Sequence, residues 1–143
     1  MPSPDLPTLA DHLRPVVLKL SRQLRRESLS AGIGVQDAQI LNAVRKQPGI
    51  GVSELAELEQ VSRPSMSAHV KRLEEAALLA RGDAEEDRRR APLAITEAGR
   101  EALRSVKASR THWLEARLSR LDAAQRAALV AALPALDRLV AAA

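Results

Sequence analysis

Residues 62–81, SRPSMSAHVKRLEEAALLAR, carry the side chains best suited to chemistry in this chain. At about 100° per residue, Met66, Val70, Leu73 and Ala77 fall on one narrow apolar stripe of a helix. The opposite face holds Pro64, Ser65, Ala68, Lys71 and Arg72, with Ser67 beside it and Arg63 at the helix start. It is small, hydroxyl-rich and basic. Such a face can approach a DNA groove closely, its hydroxyls and cations meeting base edges and phosphates. Ser62 is placed as the N-cap, its hydroxyl free to accept an orphan backbone N–H. Pro64 falls in the first turn, where its missing N–H matters little. His69 falls near the flank of the apolar stripe and is expected to be structural.

This face needs a partner helix to hold it. Residues 53–58 supply a short one that buries Leu55, Ala56 and Leu58, and a turn around Glu59 to Val61 joins the two. That spacing is the helix-turn-helix arrangement, whose second helix lies in the major groove. The bland alternative is an ordinary two-helix corner with a solvated polar face.

The flanking elements argue against that alternative. Short strands are expected at 78–81 and 91–95, with Leu93 and Ile95 facing inward. The connection 82–90 forms a charged hairpin tip: Asp83, Glu85, Glu86, Asp87, Arg88, Arg89 and Arg90. Pro92 places the second strand at a sheet edge. A helix-turn-helix followed by such a hairpin is the winged-helix plan. Upstream, Thr8 and Asp11 mark a helix start, and an apolar stripe from Leu9 reaches about Leu29, with Pro15 as a kink or a later start. Glycines in 30–34 make a loop. A second helix follows over 35–45, with Ala38, Leu41 and Val44 inward, and Pro48, Gly49 and Gly51 break it. Downstream, Thr96 caps a long helix from Glu97 to about Ser119. Asp122 and Gln125 make a capping-box signal for a last helix over 123–140, bent at Pro134.

The whole chain agrees with this plan. It has 143 residues, 45% of them apolar, with Trp113 as the single aromatic residue. A core of Leu, Val, Ile and Ala suits packed helices. The net charge of +4 and the pI of about 10.3 favour a polyanionic partner. Without cysteine there is no disulfide or thiol switch, and no apolar run reaches the roughly 18 residues of a membrane span. A soluble cytoplasmic protein with no membrane association is expected. The three histidines are scattered, so no metal set is expected, nor any cofactor. Phosphate-binding loops and the GxSxG and HExxH patterns are missing, so no enzyme is expected.

Two runs, VSELAELEQVSRPSMSAHVKRLEEAALLAR at 52–81 and EEDRRRAPLAITEAGR at 85–100, resemble the MarR family of bacterial transcriptional regulators. LSRQLRRE at 20–27 is similar to the family's first helix. The resemblance implies a mainly α fold with a small β-hairpin wing: a winged helix-turn-helix with N- and C-terminal dimerisation helices. Residues 35–96 would form the DNA-binding region, and 1–34 with 97–143 the dimerisation helices, integrated in one domain over 5–141. The implied function is that of a ligand-responsive repressor, binding a pseudo-palindromic operator in double-stranded DNA as a homodimer. DNA contacts would come from Ser62, Arg63, Pro64, Ser65, Ser67, Ala68, Lys71 and Arg72, and from Arg88, Arg89 and Arg90 of the wing. Asp87 would pair with Arg89, leaving Arg88 or Arg90 to enter the minor groove. A small aromatic or phenolic effector would meet Arg14, Gln36, His112 and Trp113. The alternative is a winged-helix dimer that binds protein or ligand without DNA. Two departures stand out: Ala77 occupies a position that is usually Gly in the family, and Gln60 lies where Gly is common. Both must fit tight backbone.

Overall fold

The computed structural model describes residues 2–82 and 91–141. Its elements are α1 (Leu6–Ser30), α2 (Val35–Lys46), α3 (Val52–Glu59), α4 (Arg63–Glu75), β1 (Leu79–Arg81), β2 (Leu93–Ile95), α5 (Glu97–Leu118) and α6 (Ala123–Val140). The chain forms two compact units, residues 1–110 and 111–143, with α5 running from one into the other.

The core of the first unit is aliphatic, as the composition requires. Ile40, Leu41 and Val44 of α2, Leu55 of α3, Met66 and Val70 of α4, and Leu93 of β2 are fully buried together. Val106 of α5 joins them, with Ala102 and Leu103 packed alongside. Leu55 and Ala56 are buried as expected, but Leu58 is exposed.

β1 and β2 pair antiparallel, Leu79 opposite Ile95 and Arg81 opposite Leu93. As Pro92 implies, β2 is an edge strand of this two-stranded sheet, but its outer side is not bare. Leu93 donates its N–H to the Ile50 carbonyl and accepts from the Gly49 N–H. The loop after α2 therefore covers the other side of β2, and Pro92 stands just before the covered residue.

The start of α1 also differs from expectation. Asp5, not Thr8, is the N-cap, and its carboxylate accepts the Thr8 N–H at 2.8 Å. Hydrogen bonding from the Thr8 side chain, and then from its backbone N–H, holds the Asp5 carboxyl below its ordinary pKa. The helix runs on through Pro15 rather than starting near it. Asp11 pairs with Arg14 instead of reaching back to a cap. At the other end of the chain, the capping box of Asp122 and Gln125 forms in full, with bonds of 2.7 and 3.0 Å.

Three helices end in the same way. After α1, α3 and α4, the sixth N–H bonds back to the first carbonyl of the closing turn: Ile33 to Ser28, Val61 to Ala56, Leu78 to Leu73. This Schellman closure needs one left-handed residue, for which glycine is preferred. Gly32 fills it after α1, with φ +81°. Gln60 and Ala77 fill it after α3 and α4, with φ +56° and +61°, and they are the only non-glycine residues at positive φ among the described residues. Ala77 was expected on the buried stripe of α4. Instead the helix ends at Glu75, and Ala77 is an exposed closure residue. The two positions that depart from the family pattern are thus the two that carry left-handed backbone. An L-residue pays roughly 1–2 kcal/mol there, partly offset in glycine by its larger unfolded-state entropy. Ala77→Gly and Gln60→Gly are each expected to stabilise the protein by about 1 kcal/mol, read as a higher denaturant midpoint with an unchanged slope.

Candidate nucleic-acid interface

α4 is held from three sides. It packs on α3, and its C-terminal closure leads directly into β1. Ser62 caps it, accepting the Ser65 N–H at 3.3 Å, and a proline occupies the first turn. Thr96 locks the closure from outside: its hydroxyl donates to the Ala77 carbonyl at 2.6 Å and accepts the Gly99 N–H at 3.0 Å. The same hydroxyl therefore caps α5 and pins the turn between α4 and β1. Arg81 on β1 reaches back to Glu74 of α4 with two nitrogen contacts, 2.6 and 3.1 Å.

With Met66, Val70 and Leu73 buried, the other face of α4 points to solvent. Ser62, Arg63, Pro64, Ala68, Lys71 and Arg72 are exposed, while Ser65 and Ser67 are half-buried. The eight residues expected on this face are therefore brought together on it. A protruding helix with small residues at its N-terminal half and cations further along fits a major groove: the backbone can come close where side chains are small, and the cations meet phosphates at the rim.

Asp87, Arg88, Arg89 and Arg90 lie outside the described residues, as do Glu85 and Glu86. Of the effector candidates, Arg14 is exposed and paired with Asp11, and Gln36 is exposed in the first turn of α2. In the second unit His112 is exposed, while Trp113 is half-buried with Arg117 stacked 5.0 Å from its ring centre. That stack is an ordinary i,i+4 cation–π contact. No group of His, Cys, Asp and Glu able to hold a metal occurs among the described residues.

One residue at this site was not legible in the sequence. Asp37 of α2 accepts a hydrogen bond from Arg72 Nη2, and His69 Nδ1 lies 3.0 Å from the same nitrogen. Nothing in the local pattern around Asp37 announces a partner 35 residues away.

Comparison with known proteins decides the family. A model described as the MarR family matches residues 31–90, from the loop before α2 to the end of the hairpin connection. The solved structure of a proposed transcriptional regulator of Pseudomonas aeruginosa PA01 is 34% identical, covers 99% of this chain and 100% of its own, and superposes with a TM-score of 0.78. The chain belongs to the MarR family. An HTH-type transcriptional regulator of Mycobacterium tuberculosis (strain CDC 1551 / Oshkosh) is 28% identical over 118 residues, 82% of each chain. A point mutant of Staphylococcus aureus MepR, solved bound to an oligodeoxyribonucleotide, shares the MarR fold at a TM-score of 0.68 and 16% identity, covering 93% of this chain and 98% of its own. As a MarR-family member the chain is a transcriptional regulator with a DNA-binding helix-turn-helix. Regulators of this kind are not enzymes. No described helix is long and apolar enough to cross a membrane.

Proposed function

We propose that this MarR-family protein is a homodimeric repressor that occludes a promoter by binding a pseudo-palindromic operator. The exposed, capped face of α4 is the observation that carries this reading. Ser62, Arg63, Pro64, Ser65, Ser67, Ala68, Lys71 and Arg72 contact the major groove, and Arg88, Arg89 and Arg90 of the wing contact the flanking minor groove, whose narrow negative walls attract arginine. Asp87 braces the wing through Arg89. The DNA-bound form of MepR supports the same use of the fold.

Dimerisation is supported by uncovered apolar faces in each unit. On α1, Leu9, Val16, Val17 and Leu20 are about half exposed, and on α6 Leu129, Val130 and Leu133 are comparably exposed. Continuous apolar faces of this extent mark interfaces. Residues 1–34 and 97–143 are proposed to pair two chains and 35–96 to read DNA. Two recognition helices then meet half-sites about one helical turn apart. A small aromatic or phenolic effector would favour a dimer with mismatched spacing, so effector and operator weaken each other equally.

The experiment is a salt titration of binding to an enriched duplex by the natural protein and by Lys71→Ala. Each phosphate contact contributes about 0.9 to the log–log slope. Loss of the Lys71 contact is expected to reduce the slope by about that much, while an unchanged slope would remove Lys71 from the interface.

A further inference from the structure

Arg72 differs from the other two cations on the α4 face. Arg63 and Lys71 have no ion pair among the described residues, whereas Arg72 is held by Asp37. The Arg72 side chain is 55% exposed and the Asp37 side chain only 18%. The carboxylate is sheltered, and about half of the Arg72 side chain faces water. Asp37 stands in the first turn of α2, where the helix N-terminus favours a negative charge. His69, on α4 itself, closes the third side: its Nδ1 is 3.0 Å from Arg72 Nη2 and 3.9 Å from Asp37 Oδ1. In the tautomer with Nδ1 unprotonated, the ring accepts from Arg72.

We infer that Asp37 is a positioning residue that sets DNA specificity by holding Arg72. The inference rests on the reading of α4 as the DNA-facing helix. Its physical basis is the division of DNA affinity into two parts. Phosphate attraction is blind to sequence and follows every accessible cation. Base readout needs a side chain in one place. An arginine paired with a carboxylate adds almost no net charge to the surrounding field, so it contributes little to attraction at a distance. To follow a phosphate elsewhere it must leave Asp37, and a sheltered carboxylate is then left without its main partner. A guanine edge or phosphate reached from the held position carries no such cost, and the outward N–H groups remain available for it. Asp37 therefore penalises complexes in which Arg72 wanders and spares the one in which it stays. Arg63 and Lys71 are left to supply the general attraction.

The test uses the full chain with Asp37→Asn, Asp37→Glu, Arg72→Ala and the Asp37→Asn/Arg72→Ala pair. Binding is measured on an enriched duplex and on a scrambled duplex of equal length across a salt series. For Asp37→Asn we expect tighter binding to the scrambled duplex, a salt slope steeper by about 0.9, and a smaller ratio between the two affinities. Asp37→Glu should restore most of that ratio. The double variant should match Arg72→Ala alone, because Asp37 acts through Arg72. An unchanged scrambled-duplex affinity and slope in Asp37→Asn would overturn the inference. So would an equal loss on both duplexes accompanied by a fall in thermal midpoint, which would assign Asp37 to folding alone. Failure of the natural protein to bind either duplex would overturn the DNA-facing reading itself, a result separate from any effect of Asp37.

Discussion

Val17→Asp is expected to break the proposed dimer into monomers and to weaken binding to the proposed operator by about 10²–10⁴-fold. Val17 lies on α1, is 46% exposed, and takes no part in the buried core. An aspartate there meets water in the monomer and costs the fold little. In a dimer whose base includes α1, the same carboxylate is buried without a partner, which is among the most costly changes an apolar interface can suffer. The loss in DNA binding follows from linkage between heads: two connected reading heads gain about 10²–10⁴ in avidity over one. Sedimentation velocity reads the first effect and a gel shift the second, with far-UV circular dichroism confirming that helicity is kept. Leu133→Asp on α6, 56% exposed, should act likewise. A Val17→Asp protein that stays dimeric would remove α1 from the interface.

Gly99→Ala should be the most damaging single methyl group in the first unit. A Cβ at Gly99 would stand 2.3 Å from the Leu78 carbonyl oxygen and 2.7 Å from Ile95 Cγ1. The oxygen belongs to the turn between α4 and β1 and already accepts the Thr96 N–H at 3.1 Å. It cannot retreat without disturbing the Thr96 latch and the Schellman closure at Ala77. Overpacking of this kind costs typically 1–3 kcal/mol, and backbone as the obstacle places Gly99→Ala at about 3 kcal/mol. Against a domain stability of roughly 5–15 kcal/mol that is a large share. Chemical denaturation measures it, and a midpoint within error of the natural protein would contradict the close approach. Gly34→Ala is the control, since its nearest foreign atom is 3.7 Å away. Gly99 and Ala77 therefore predict opposite signs for exchanging glycine and alanine, one from space and the other from φ.

Much of the fold was legible because local rules and tertiary packing agreed. The stripe of Met66, Val70 and Leu73, the Ser62 cap, the Thr96 start of α5 and the Asp122–Gln125 box all reappear in place. The misses share a cause. Thr8 fits a cap, but Asp5 fits better, with Pro7 falling in the first turn that follows it. Ala77 continues the helical stripe by angle, yet the chain must turn into β1 there, and tertiary need overrides periodicity. Leu58 is apolar at a fitting position, but α3 buries Val52, Leu55 and Ala56 and leaves Leu58 exposed. Pro92, which has no N–H to give a ladder, correctly signals an edge strand, but the outer side of Leu93 is covered by a loop, residues 49–50, with no strand pattern. At the candidate interface the exposed face of α4 was readable from its residue types. The Asp37–Arg72 pair was not, because it joins two helices whose approach angle no sequence spacing encodes.

The outward face of α4 is proposed to read DNA in two copies. Selecting bound fragments from genomic DNA with the full-length protein tests this most directly. The expected result is an enriched motif of two inverted half-sites whose centres lie about one helical turn apart. Recovered fragments with no shared motif, or with one unpaired half-site, would contradict it.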